Sequence, residues 1–354
     1  MEIQSRLKKY QVNFLVELKK IKEIAQQDNT FWVIDKNVFD LYSDSFPVFP
    51  ANRLFLLNAI EQQKNMNTAL AICEKMTIMP QKRNVHLVSI GGGIVQDITG
   101  FVASCLYRGI RWTFFPTTLL ASCDSCIGGK SSLNYKGFKN LLGSFYPPDD
   151  IWIYSPFFRT LTERDYCSGL GEVVKFNVIA GEKAFTRMEI DMEDILNHDY
   201  LKLQKYVANS LQFKRKFIEE DEFDRGVRIL LNFAHTFGHS YEVSSNYEIP
   251  HGSAVALGML TANYISFKRG LLSKELLRRV ETVCKKILRI ISWKDEIFTF
   301  GKLMIAIHKD KKQTGENITA ILLDEKKGLS ICCDVQEAEI LEAVDYTKKI
   351  VLRN

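Results

Sequence analysis

Several absences narrow the reading of this 354-residue chain before any motif is considered. No block of like charge resembles a nucleic-acid-binding arm, and the formal net charge is only +5, so a nucleic-acid partner is not expected. The longest uncharged run, Gly252–Phe267, is too short and too polar to span a bilayer. The opening stretch MEIQSRLKKYQVNF lacks the apolar core of a signal peptide. Cys123 and Cys126 form one CxxC pair, but no second pair completes a structural zinc site. The eight cysteines fall mostly in apolar patterns, as reduced thiols do. Internal repeats and low-complexity tracts are missing. What remains is an ordinary globular composition, 46% hydrophobic and 25% charged, in a chain long enough for two domains. A soluble, cytoplasmic protein without a membrane or nucleic-acid partner is expected.

The richest stretch runs from His86 to Asn140. A short apolar strand, His86–Ile90, stops at Gly91-Gly92-Gly93, and an amphipathic helix follows with Ile94, Ile98, Phe101, Val102, Cys105 and Leu106 on one face. Glycines at this turn permit positive φ and close approach of a ligand. The amides at the start of the helix offer an anion site. Asp97 inside that helix is an unusual residue for a purely structural turn. A second strand then leads through Pro116-Thr117-Thr118 into a polar loop carrying Asp124, Lys130, Lys139 and Asn140. Upstream, Tyr10–Leu18 and Phe31–Ile34 read as strands, and Asn58–Met76 as a helix. Asp35 and Asn37 after the second strand are either turn formers or nucleotide contacts. This alternation predicts a parallel α/β sheet for residues 1–155.

Beyond Ser155 the pattern is mainly helical. Helices are expected over Tyr166–Ala180, Lys183–Ile195, Tyr200–Asp221, Arg228–Ser244, Ser253–Arg269 and Lys274–Leu288, so residues 156–354 form a second, mainly α-helical domain. Strand Ile318–Leu323, the apolar segment Leu329–Cys332 and helix Val335–Lys349 close the chain. Glu172 and Lys175 lie one helical turn apart in an apolar setting, as an ion pair or as a functional pair. Three of the six histidines, His235, His239 and His251, cluster in the same half. Core packing and metal binding both remain open for them. Spacing alone selects His235 and His239 as a helical ligand pair. Lys214 and Arg228 add positive charge, and the apolar approach around Arg228 favours an anionic partner.

With these residues assembled, the chain resembles the 3-dehydroquinate synthase family of sugar phosphate cyclases. The resemblance rests on ordered motifs: GGGIVQDITGF, YRGI, FPTTLLA, DSCIGGK, GFKNLLGSFYPP, TLTERD, GLGEVVK, LLNFAHTFGH and HGSAVALGM. It implies an N-terminal NAD-binding α/β domain, a mainly helical metal-binding domain and, commonly, a homodimer. It further implies that Glu172, His235 and His251 hold Zn2+ or Co2+, and it moves His239 to the substrate. Implied NAD contacts are Asp35, Asn37, Glu61, Lys64, Gly93, Ile94, Val95, Gln96, Asp97, Thr117, Thr118, Lys130, Lys139, Phe157 and Thr160. Implied substrate contacts are Lys130, Asn140, Lys175, Lys214, Arg228, Asn232, His239 and one of Lys311 and Lys312, with Arg108 reaching a phosphate across a dimer interface. The implied catalytic set is Asp124, Lys130, Asn140, Lys175 and His239.

The activity so implied is conversion of 3-deoxy-D-arabino-heptulosonate 7-phosphate, a small phosphorylated sugar acid, to 3-dehydroquinate and phosphate in the shikimate pathway. Transient NAD oxidation, β-elimination, reduction and intramolecular aldol closure make up the reaction. Five motif positions depart from the family pattern: Cys126, Gly171, Ala234, Ser240 and Ser253. They keep open a specialised cyclase making an amino-dehydroquinate, valiolone-type or 2-deoxy-scyllo-inosose-type ring. A metal-dependent polyol dehydrogenase is the more distant alternative, because its motifs lack the GGK…KN loop and the Glu172–Lys175 pair.

Overall fold

The computed structural model describes residues 1–310, 313 and 317–352, and the chain divides into two compact units. The first comprises Met1–Thr160 together with Arg215–Phe223, the second Leu161–Lys214 and Asp224–Asn354.

In the first unit the elements run β1 (Glu2–Gln4), β2 (Lys9–Phe14), α1 (Lys19–Ala25), β3 (Thr30–Asp35), α2 (Lys36–Leu41), β4 (Leu54–Leu57), α3 (Met66–Thr77), β5 (His86–Gly91), α4 (Gly93–Cys105), β6 (Arg111–Pro116), β7 (Lys130–Tyr135), β8 (Phe138–Phe145) and β9 (Asp150–Ile153). Seven strands form one sheet in the order β1-β2-β9-β6-β5-β3-β4. All its pairings are parallel except β1 with β2. Strand β5 is buried at every residue, as a central parallel strand covered on both faces must be. Registers Ile34↔Ile90 and Gly91↔Pro116 bring the carboxyl ends of β3, β5 and β6 level. Ligands bind beyond such ends in open α/β sheets. One face packs Ile21, Ile24, Trp32, Ile34, Val88, Ile90, Phe115 and Phe157 into a continuous apolar core.

Two expectations need correction here. The stretch Asn58–Met76 makes a 3-10 turn at Glu61–Gln63 and is α-helical only from Met66, where Asn65 caps the helix by accepting from the Thr68 amide at 3.0 Å. The polar segment after β6 is not a loop throughout. It makes a π-helical turn, Ala121–Ser125, and then the antiparallel hairpin β7–β8. Ser131 and Leu133 bury one side of β7, while its polar residues occupy the other.

In the second unit the elements are α5 (Glu163–Ile179), α6 (Glu182–Leu196), α7 (Tyr200–Glu220, whose last residues belong to the first unit), α8 (His235–Ser244), α9 (His251–Lys268), α10 (Lys274–Leu288), α11 (Phe300–His308), the hairpin β10 (Ile318–Asp324) and β11 (Gly328–Val335), and α12 (Glu337–Leu352). Helix α9 carries mostly small and apolar residues and is buried along nearly its whole length, which makes it the axis of this unit. The helix expected over Arg228–Ser244 is broken. Val227–Asn232 is a 3-10 turn, Ala234 takes a left-handed conformation at φ 69°, and α8 starts at His235. No described helix is long and apolar enough to cross a membrane.

Candidate active-site residues in the two units

In the first unit, the expected cofactor residues gather at the carboxyl ends of the parallel strands. Asp35 ends β3 and caps α2 through the Asn37 amide at 2.9 Å, while burial raises its pKa despite that bond. Gly93, Ile94, Val95, Gln96 and Asp97 open α4 after β5. Thr117, next to the end of β6, donates its amide to Gly91 at 2.9 Å. None of the three glycines of this turn has positive φ, contrary to the expectation from sequence. Gly91 and Gly92 are required for space instead. A Cβ on Gly91 would lie 2.4 Å from Val95, and one on Gly92 would lie 2.9 Å from Thr118. A Cβ on Gly93 would meet nothing within 4 Å, and no side chain caps the helix. Uncapped amides beside open space suit the pyrophosphate of a dinucleotide.

Beside this turn lies a polar network. Lys64 Nζ is 2.5 Å from Asp97 Oδ2 and donates to Asn140 Oδ1 at 2.6 Å. Burial raises the Asp97 pKa, although Lys64 and Ser132 both stabilise its anion. The Ser132 amide and hydroxyl donate to Asp97 at 3.0 and 3.1 Å. Asn134 donates to Glu61 at 2.7 Å and accepts from the Asn140 amide at 2.9 Å. Ser132 and Asn134 were missed from the sequence. Their alternation with Lys130 along β7 is the signal that a strand reading would have used.

The remaining expected residues of this unit are more dispersed. Gln96 is tied to Ser125 by two bonds, at 2.6 and 2.7 Å. Thr118 Oγ1 accepts from the Ala121 amide at 3.2 Å, where the turn that holds Asp124 begins. Lys130 and Lys139 are exposed on the hairpin. Phe157 gives its ring to the apolar core, edge-on to Tyr42 at 4.9 Å, and Thr160 meets the Tyr42 hydroxyl at 3.2 Å. Arg108 is exposed, and with Tyr107 and Gly109 it forms three consecutive residues of positive φ. Such a strained turn persists only where its surroundings hold it.

In the second unit, Glu172 on α5, His235 at the start of α8 and His251 at the start of α9 offer ligand atoms that all lie within 4.8 Å of one another. Close helix crossings bring them there. A Cβ on Gly252 would sit 1.8 Å from the Ser168 carbonyl oxygen, and one on Gly258 would sit 2.2 Å from that of Ala234. Helices α5 and α8 therefore approach α9 backbone to backbone at these points.

Glu172 is wholly buried. Its Oε1 lies 3.4 Å from His235 Nε2 and 3.3 Å from His251 Nε2, and its Oε2 lies 2.6 Å from Lys175 Nζ. These are charge contacts without alignment, since neither carboxylate oxygen receives a hydrogen bond of good geometry. Burial opposes the anion, but Lys175 and the two imidazoles outweigh it and hold the carboxyl well below its ordinary pKa. Burial lowers His235 to about 4. His251 is likewise opposed by burial, yet Glu172 and Glu242 raise it to about 10. One carboxylate with unpartnered oxygens and two imidazole nitrogens turned toward it form a donor set that fits a divalent zinc-like ion.

His239 does not join Glu172. Its ring stands 5.3 Å from that of His235, and its Nε2 lies 4.0 Å from Glu242, which with His251 forms a second group of possible ligands. Lys175 also donates to the Leu231 carbonyl at 3.2 Å, and Asn232 donates to that of Ile229 at 3.0 Å. Lys214 and Arg228 are buried cations of the same unit. Lys311 and Lys312 lie outside the described residues.

Comparison with known proteins agrees along nearly the whole chain. Residues 54–168 match the family model "3-dehydroquinate synthase N-terminal", and residues 169–313 match "3-dehydroquinate synthase C-terminal". A 3-dehydroquinate synthase of Clostridium tetani is 36% identical over 327 residues, covering 91% of this chain and 87% of that protein. Among solved structures, a 2-epi-5-epi-valiolone synthase from Streptomyces hygroscopicus subsp. jinggangensis, with NAD+ and Zn2+ bound, is similar in fold. Its TM-score is 0.84 at 24% identity, covering 98% of this chain and 97% of that one. A 2-deoxy-scyllo-inosose synthase in complex with carbaglucose-6-phosphate, NAD+ and Co2+ also scores 0.84, at 21% identity over 97% of this chain and 98% of that one.

Proposed function

The chain belongs to the 3-dehydroquinate synthase family, and on that premise we propose that it converts 3-deoxy-D-arabino-heptulosonate 7-phosphate to 3-dehydroquinate and phosphate. The observation that carries this reading is the set of buried Glu172 and His235 with half-buried His251, and Lys175 at 2.6 Å from the carboxylate. When bound there and at the glycine turn, a divalent zinc or cobalt ion supplies polarisation of substrate hydroxyls, and NAD supplies a hydride acceptor that is restored within each turnover.

The chain's own residues do the rest. Lys175 Nζ stands between the Glu172 carboxylate, 2.6 Å away, and the Leu231 carbonyl, to which it donates at 3.2 Å. Lys214 and Arg228, buried in the second unit, provide charge-assisted partners for the substrate's carboxylate and phosphate. His239 has one nitrogen 3.7 Å from Asp310 and the other 4.0 Å from Glu242. Those contacts leave its ring outside the Glu172 group, which supports the reading that it serves the substrate. In the first unit, Lys64 fixes Asn140 and Asp97 beside the uncapped end of α4, which orients groups that would otherwise be flexible. The reading includes a homodimer in which Arg108 reaches the partner's substrate, residence in the cytoplasm, and a place in the shikimate pathway.

A related cyclase of a specialised pathway is the second reading, favoured by the fold likeness to the two synthases above and by Ser253 next to the metal-ligand turn. The test is phosphate release by zinc-loaded protein with catalytic NAD. The seven-carbon keto-acid phosphate and sedoheptulose 7-phosphate are offered separately, and products are identified by mass. Phosphate and 3-dehydroquinate from the first, without net NADH, are expected. Turnover of the second alone moves the protein to a specialised cyclase, and steady NADH accumulation with simple polyols moves it to a dehydrogenase.

A further inference from the structure

We infer that Glu242 is a positioning residue for the metal site, fixing the tautomer and ring orientation of His251. This inference rests on the metal reading above and deepens it by assigning a residue outside the ligand set. His235 and His251 both turn Nε2 toward Glu172 Oε1, at 3.4 and 3.3 Å. Each then has its Nδ1 held from behind, by a different acceptor. His235 Nδ1 meets the Phe233 carbonyl at 3.0 Å, which the left-handed turn at Ala234 directs back onto the ring. His251 Nδ1 meets Glu242 Oε2 at 3.2 Å.

In both cases an Nδ1–H that donates to its acceptor leaves the Nε2 lone pair facing the common centre. A carboxylate behind a ligating imidazole also makes that imidazole more basic and limits its rotation. Glu242 can fill this role because it sits two turns along α8 from His235. The helix that supplies one ligand thereby braces the ligand supplied by α9. The groups facing Glu242 are His251 and, farther away at 4.0 Å, His239 Nε2. His239 is in turn 3.7 Å from Asp310. The nearer imidazole is the one aimed at Glu172, so the carboxylate's principal partner is the ligand.

The test is zinc affinity by chelator competition for the full-length wild type, Glu242→Gln and Glu242→Ala, with apo-protein melting and NAD binding measured alongside. Zinc binding at one equivalent by the wild type is required by the metal reading itself, and its absence would sink that reading rather than only this one. Given such binding, Glu242→Ala should lose about 10- to 100-fold in zinc affinity. Glu242→Gln should recover part of that loss, because its Oε1 still accepts from Nδ1–H. NAD binding should stay unchanged in both. Wild-type zinc affinity in the alanine variant overturns the inference. So does a loss matched by an equal fall in apo-protein stability with no recovery in the glutamine variant, since that pattern describes packing alone.

Discussion

His86 illustrates how burial sets chemistry at single residues. It opens β5 almost fully enclosed, with Nε2 2.8 Å from the Thr113 hydroxyl and Nδ1 lacking a partner. Burial, with Arg111 adding to it, lowers its pKa to about 4. The unfolded chain, with an ordinary value near 6.5, therefore binds more protons between these limits. Stability from the neutral ring is complete above roughly pH 6.5 and is lost as pH falls toward 4, by about 3 kcal/mol in the limit. Denaturant unfolding at pH 7.5 and 4.5 should therefore show a smaller acid penalty in His86→Gln than in the wild type. Tryptophan fluorescence suits the measurement because Trp32, Trp112 and Trp152 all belong to the first unit. An equal penalty in both proteins would refute the argument. At this same scale the sequence is only half-informative. It shows that Glu172, His235 and His251 are candidates, but three histidines and a carboxylate in one half of a chain carry no distances.

Elements were legible where pattern and propensity agree. Helix α4 shows apolar periodicity behind a glycine turn, and α9 shows a long uncharged, mostly apolar run; both stand where expected. The break before α8 was not legible, because alanine is the best helix former and gives no sign of a left-handed turn. Close packing against α9 at Gly258 accompanies that turn. The hairpin β7–β8 was read as a loop for a similar reason, since Ser132 and Asn134 bond to side chains from other segments, Asp97 and Glu61. The glycine crossings give an element-scale prediction. Gly252→Ala would place a Cβ against the Ser168 carbonyl, a backbone atom that cannot rotate away. Helices α5 and α9 must then separate, at a cost of about 1–3 kcal/mol, and Glu172 must move from His251. A lower melting temperature and reduced zinc content are expected together. Wild-type values for both would show that the crossing can relax.

For the whole molecule, the division into two units separates the residues to which binding roles are proposed. The residues expected to hold NAD lie in the first unit, while Arg228 and the metal-ligand set lie in the second. Arg228→Ala should therefore weaken binding of the keto-acid phosphate at least tenfold, the scale of losing one buried charge-assisted contact, and leave NAD binding within about twofold. Calorimetry with each ligand measures both, and equal losses would remove Arg228 from the substrate role. Sequence alone determined the two-part organisation, the parallel sheet with its ligand-facing ends, the family and the identities of the chemical groups, because these follow from periodicity, glycine placement and ordered motifs along the chain. Spacing along the chain pointed to His239, and only the ordered motifs favoured His251; tertiary structure alone decided that Glu242 stands behind His251 and that Ser132 and Asn134 join Lys64 and Asp97. Those outcomes depend on where separate helices cross and which strand faces which helix. Such crossings are set by close packing between residues far apart in the chain, and no local pattern records them.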